Sequence, residues 1–155
     1  MLPHYISAVR QAAEQAGVTL VGAPLASPVD EAEYRRVFAV VAQERPDALI
    51  VEAFGENLTH RRLIVALTEE ARLPAIYPIR DYVEIGGLMA YATPRSDMFR
   101  RVASQIDEIL KGARAGEIPF HQPTKFELVI NLNTAKALGL TIPPTLLARA
   151  DEVIE

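Results

Sequence analysis

The chain has 155 residues, half of them apolar, with a net charge of −4 and no cysteine. That length and apolar content suit a domain with a real core and exclude general disorder, and the acidic balance, shared evenly between residues 1–80 and 81–155, leaves no basic face for nucleic acid. Disulfides and thiolate metal sites are excluded, and no uninterrupted apolar run approaches the ~20 residues that span a bilayer as a helix.

Met1-Leu-Pro-His-Tyr-Ile6 has no basic region, no apolar run and no small-residue cleavage site, so it does not read as a secretory signal. Tyr5, Ile6, Val9, Ala12, Ala13 and Ala16 recur at helical spacing, and Gly17 supplies a stop, which predicts a helix over 4–16. Val18-Thr-Leu-Val-Gly22 reads as a strand. Ser27-Pro28 followed by Asp30 reads as an N-cap, a first-position proline and a first-turn acid. The helix they open carries Tyr34, Val37, Phe38 and Val41 on one stripe and ends near Arg45. Asp47-Ala-Leu-Ile-Val-Glu52 is the short, continuous apolar run of a strand in a parallel sheet.

A third helix is expected over 57–71, with Leu58, Leu63, Val65, Ala66 and Leu67 inward, and Pro74–Tyr77 is the next strand. Alternation at this spacing implies right-handed βαβ crossovers and a Rossmann-like half. After Pro78 the rhythm changes. Gly86-Gly87 punctuates, Leu88–Tyr91 is a short strand, and 94–110 is a long helix with Met98, Val102, Ile106, Ile109 and Leu110 on one face. A loop over 111–124 leads to a final strand at 126–130, a short helix at 134–138 stopped by Gly139, and a last helix opened by Pro143-Pro144 and ending near Ile154.

No catalytic constellation is legible. His4, His60 and His121 lie more than 55 residues apart and none has a second ligand at i+3 or i+4, so no metal site is expected. No Gly-x-Ser-x-Gly elbow occurs, and Gly86-Gly87 and Gly112–Gly116 lack the Gly-x-Gly-x-x-Gly arrangement that cradles a pyrophosphate, so no cofactor is expected. What remains are strand ends, where open α/β sheets bind ligands. Glu52-Ala-Phe54-Gly-Glu-Asn57 and Tyr77-Pro-Ile-Arg80-Asp-Tyr82 combine rings to stack, a carboxylate for an ammonium and an arginine for a carboxylate. Each has a plain alternative: Phe54 and Tyr77 as core aromatics, Arg80-Asp81 as a solvated turn pair, and Glu52 as a helix cap.

The stretch from Phe126-Glu-Leu-Val-Ile-Asn-Leu-Asn-Thr-Ala-Lys-Ala-Leu-Gly-Leu-Thr-Ile-Pro143 to Glu155 resembles the C-terminus of ABC-transporter substrate-binding proteins of the tryptophan/tyrosine-uptake type. Arg72-Leu-Pro-Ala-Ile-Tyr77, Gly86-Gly-Leu-Met-Ala-Tyr91, Ile109-Leu-Lys-Gly112 and Glu117-Ile-Pro119 fall in the order that family shows. The resemblance implies an α/β fold like the second lobe of a type I periplasmic binding protein: a Rossmann-like parallel sheet with helices on both faces. In that reading 1–80 is the lobe, 81–125 a crossover segment with a strand and the long helix, and 126–155 the final strand and C-terminal helices.

It also implies binding without chemistry: a small organic solute such as an aromatic amino acid, an ABC permease as partner and a periplasmic or other extracytoplasmic location. Tyr91 joins the candidate ligand contacts on the resemblance, at a position where the family usually has Tyr-Gly and this chain has Ala92. The family's members are about twice this long, and most of a first lobe and one central strand are expected to be missing. A two-fold homodimer that buries 87–111 is the expected remedy. The alternative is a stand-alone α/β module for dimerisation or ligand sensing.

Overall fold

A computed structural model describes the backbone of residues 3–155 and the side chains from Ser7 onward. The chain divides into two compact units, Met1–Pro46 and Asp47–Glu155.

The first unit contains two helices. α1 (Pro3–Gln15) ends where Gly17 takes a left-handed φ of 67°, and the N–H of Val18 reaches back to Ala13 O at 2.9 Å, which closes the last turn. Val9 and Ala13 of the expected stripe are half-buried and Ala12 and Ala16 exposed, and the expected contributions of Tyr5 and Ile6 lie outside the described side chains. The strand expected at 18–22 does not form. Val18, Leu20 and Val21 are exposed and pair with no strand among the described residues, because β-propensity marks a segment fit for pairing and only a partner makes it a strand.

α2 (Glu31–Glu44) starts three residues later than Ser27-Pro28 implies. Asp30 is its N-cap, with extended backbone and a carboxylate that accepts the Glu33 N–H at 2.9 Å. Tyr34, Val37 and Val41 are buried as the stripe predicts, and Phe38 is half-buried.

The second unit is built on a five-stranded sheet in the order β1 (Leu49–Ile50), β2 (Ala75–Tyr77), β3 (Met89–Ala92), β4 (Glu127–Asn131), β5 (Glu152–Ile154). All neighbours are parallel except β3 and β4, where Met89 faces Ile130 and Ala92 faces Glu127. The architecture is α/β with a mostly parallel sheet. The expected third helix is two helices, α3 (Gly55–Thr59) and α4 (Arg61–Glu70), because His60 at φ −96°, ψ 18° leaves helical geometry. The break rotates the inward face to Ile64, Val65, Leu67 and Thr68, leaving Leu58 and Ala66 exposed. Thr68 is buried because its hydroxyl is spent on Val65 O at 2.7 Å.

Between β2 and β3 the chain makes a one-turn helix, α5 (Asp81–Glu84), which packs against β3 and β4 and sends Tyr82 and Val83 into the centre of the core with Val129 and Ile130. Full burial of such side chains is worth about 1.5–3 kcal/mol each. The long helix forms as expected as α6 (Arg95–Leu110). After β4 come α7 (Leu132–Ala137), capped by the Asn131 side chain on Thr134 N–H at 3.1 Å, and α8 (Pro144–Leu147). The last helix was expected to reach Ile154. It stops after one turn because Asp151 is clamped to β4, its N–H on Leu128 O at 2.9 Å and its carboxylate on Leu128 N–H at 2.8 Å, and this delivers 152–154 as a strand beside β4.

Candidate functional site

The strand directions bring the carboxyl ends of β1, β2 and β3 to the same edge of the sheet as the amino ends of β4 and β5. Ligands in open α/β sheets bind beyond the strands' carboxyl ends, and most of the residues singled out from sequence lie there. Glu52 and Phe54 follow β1. Phe54 is the N-cap residue of α3 and is 41 % exposed, and Glu52 is half-buried, its main-chain oxygen accepting Asn57 Nδ2–H at 2.9 Å. Asn57 is buried, so its amide holds the turn between β1 and α3 together.

Tyr77 and Tyr82, expected to line the cleft, are core residues. Their rings stack with centroids 4.7 Å apart and planes at 14°. The Tyr77 hydroxyl meets Thr68 Oγ1 at 2.8 Å and the Tyr82 hydroxyl donates to Asn57 O at 2.7 Å. Burial pushes the Tyr77 phenol above its ordinary pKa, with the Thr68 bond working the other way. Gly87 lies against the pair, where an added Cβ would stand 2.6 Å from Tyr77 Cε2 and 2.7 Å from the main-chain oxygen of Tyr82. Only glycine fits that approach.

Arg80 stands at the end of β2 with its guanidinium committed within the chain. It donates to Glu84 Oε1 at 2.9 Å and to both carboxylate oxygens of Glu152 at 3.1 and 2.9 Å, with Glu127 at 3.9 Å. The hydrogen bonds to Glu84 and Glu152, in that order, raise its already high pKa. Asp81, its sequence neighbour, pairs with Arg95 at 2.7 Å instead. A ligand carboxylate reaching Arg80 therefore competes with acids already in place.

Tyr91 is the most open of the candidates, 56 % exposed, and it stacks on Phe126 with centroids 5.3 Å apart and planes at 17°. The pair forms from the antiparallel β3–β4 register, which sets Tyr91 across from Leu128 and leaves Phe126 just beyond the last paired residue. It presents a double aromatic surface at the carboxyl edge, suited to a planar apolar ring. Phe126, Glu127 and Glu152 were not singled out as site residues, since each joins the site only through pairing with distant strands. The one readable signal was an aromatic residue opening a predicted strand.

A concavity of about 530 Å³ lies at the other end of the sheet, floored by Leu73, Ala75, Tyr77 and Leu88 and rimmed by Glu69 and Arg72. Of the residues singled out from sequence it touches Tyr77 alone. Among the described residues no group of three or more histidines and acids is placed to hold a metal ion, and no described helix is long and apolar enough to cross a membrane.

Comparison with solved structures places the fold. A conserved domain protein from Vibrio cholerae O1 biovar eltor matches over 97 % of this chain and 49 % of its own, at 23 % identity and a TM-score of 0.85. An ABC domain from Streptococcus pneumonia, solved in complex with L-Trp, matches over 97 % of this chain and 51 % of its own, at 26 % identity and a TM-score of 0.85. A ligand-free, open substrate binding protein with adhesive properties from Clostridium difficile matches over 96 % of this chain and 48 % of its own, at 17 % identity and a TM-score of 0.65. The chain thus spans about half the length of these structures. No curated protein sequence matches it. The family profile described as ABC transporter substrate binding protein matches residues 5–154, and with nearly the whole sequence covered, the chain belongs to that family.

Proposed function

We propose that this chain is a solute-binding lobe of an ABC importer, which takes a small organic solute such as an amino acid without covalent chemistry and presents it to a permease outside the cytoplasmic membrane. The observation that carries the reading is the family match over 5–154, in a family typically extracytoplasmic and devoted to binding. An aromatic amino acid is the favoured class. The exposed Tyr91–Phe126 stack supports it, as does the L-Trp bound by the streptococcal relative. In this reading Phe54 and Tyr91 contact the solute's ring, Glu52 takes its ammonium and Arg80 its carboxylate, while Asn57, Tyr77 and Tyr82 hold those groups in place behind them. Self-association is part of the proposal, since α6 has no buried residue in the chain alone and a bound solute needs cover on both sides. The same helix favours the second reading, a stand-alone dimerisation or sensing module.

Thermal unfolding in the presence of each common amino acid separates the two. A solute at about 100 times its dissociation constant contributes roughly 2.7 kcal/mol to stability if it binds the folded state alone. Stabilisation by tryptophan or tyrosine, and its loss in Tyr91→Ala, supports solute binding; no stabilisation by any solute, in a chain that associates, supports the module.

A further inference from the structure

Arg80 carries more acid than one guanidinium needs. Its Nε donates to Glu84 Oε1 at 2.9 Å and its Nη2 to both oxygens of Glu152 at 3.1 and 2.9 Å, while Nη1 makes no hydrogen bond among the described residues and has Glu127 Oε2 at 3.9 Å. The three acids differ in what holds them. Glu84 lies four residues from Arg80 along α5, one turn away, and stays beside it. Glu127 is paired in β4 opposite Ala92, with its side chain only 18 % exposed. Glu152 comes from the far end of the chain, and its side chain is 45 % exposed and able to turn into water. Strand β5 does not depend on it, because Asp151 fastens the start of that strand to Leu128 through two hydrogen bonds.

An ion pair this open adds little to folding. Its effect on recognition is larger. Arginine takes a carboxylate best through two parallel N–H groups, and with Nε given to Glu84 the only such edge left is Nη1–Nη2, where Glu152 already holds Nη2.

We infer that Glu152 is a built-in competitor for the solute: it occupies Arg80 from within the chain, and a solute carboxylate has to displace it from Nη2 to reach the Nη1–Nη2 edge. The inference rests on the role of Arg80 in the proposed function and adds what limits the affinity of that contact. Its consequence runs against the usual effect of a substitution, since removing the charge at 152 improves binding.

Isothermal titration calorimetry of the full chain with L-tryptophan tests it, with circular dichroism to verify that each variant stays folded. Glu152→Gln keeps the size of the side chain and is expected to tighten binding about three- to fivefold. Arg80→Ala is expected to weaken binding about tenfold or more, and in that background Glu152→Gln is expected to change affinity by less than about twofold, because nothing is left to compete for. Binding by the wild type that Glu152→Gln leaves unchanged or weakens overturns the competition and leaves the solute reading standing, as does a gain that persists without Arg80. If neither the wild type nor Glu152→Gln binds tryptophan or any other amino acid, the solute reading falls and the competition with it.

Discussion

Tyr82 donates its hydroxyl to the main-chain oxygen of Asn57, 25 residues upstream, at 2.7 Å, while the tyrosine itself is wholly buried. This bond ties the core of the sheet to the turn that carries Glu52 and Phe54, so the most buried aromatic of the unit sets the posture of one wall of the candidate site. Tyr82→Phe removes the donor and leaves a carbonyl without it, and is expected to cost about 1–2 kcal/mol. Tyr82→Ala also empties the stack with Tyr77 and is expected to cost about 3–5 kcal/mol. Urea denaturation followed by circular dichroism measures both, and equal losses would show that the ring contributes nothing beyond the hydroxyl.

Gly87→Ala places a methyl group 2.6 Å from Tyr77 Cε2 and 2.7 Å from Tyr82 O. One of those neighbours is backbone, so the strain cannot be relieved by a rotamer change alone. The expected loss is about 1–3 kcal/mol, read from the shift in the urea midpoint. An unchanged midpoint would mean the approach between Gly87 and the tyrosine pair is looser than the structure gives it.

Glu33 offers a test by pH. Its carboxylate accepts from Arg36, the larger cause, and from the Ala26 N–H, and its pKa is held down at about 2 from an ordinary 4.5. A carboxyl depressed on folding stabilises the folded state above its unfolded pKa and loses that contribution as pH falls through the folded value. The stability difference between wild type and Glu33→Gln is therefore expected to be full at pH 7 and to fade between about 4.5 and about 2. Salt weakens it through Arg36, whose side chain is half-exposed, although the Glu33 side chain is largely covered. A difference that grows as pH falls would reverse the sign and refute the assignment.

Tyr91 and Phe126 stack on the surface, so in the proposed reading their loss is expected to fall on binding rather than on folding. Tyr91→Ala and Phe126→Ala are each expected to change stability by no more than about 1 kcal/mol while weakening binding of an aromatic solute about tenfold, measured by isothermal titration calorimetry. Large destabilisation with unchanged affinity would make the pair a piece of the sheet and no part of the site.

What the sequence made legible follows the range of the interactions. Helices α2 and α6 and the strands β1 to β4 were readable because cap residues and periodicity act within a few residues. The three misplaced elements turn on contacts that periodicity cannot see. Val18–Gly22 has the composition of a strand and no partner among the described residues to make it one, α3 and α4 part at His60 on a backbone angle, and Glu152–Ile154 becomes a strand because Asp151 is fastened to Leu128. The site divides in the same way. Glu52, Phe54 and Arg80 stand at strand ends, where their place in the sequence puts them, whereas Tyr77 and Tyr82 carry the same aromatic signal and lie in the core. Phe126 and Glu152 enter through strand pairing across 35 and 72 residues, to Tyr91 and Arg80, which leaves no local trace.

The most direct test is a titration of the ¹⁵N-labelled chain with L-tryptophan, followed by NMR. Solute binding at the carboxyl edge predicts saturable shifts that cluster at Glu52, Phe54, Arg80, Tyr91 and Phe126, with the rim residues Glu69 and Arg72 at the other end of the sheet unmoved. If tryptophan, tyrosine and the other amino acids leave the spectrum of the folded chain unchanged, or shift only residues around Glu69 and Arg72, the proposed site is wrong.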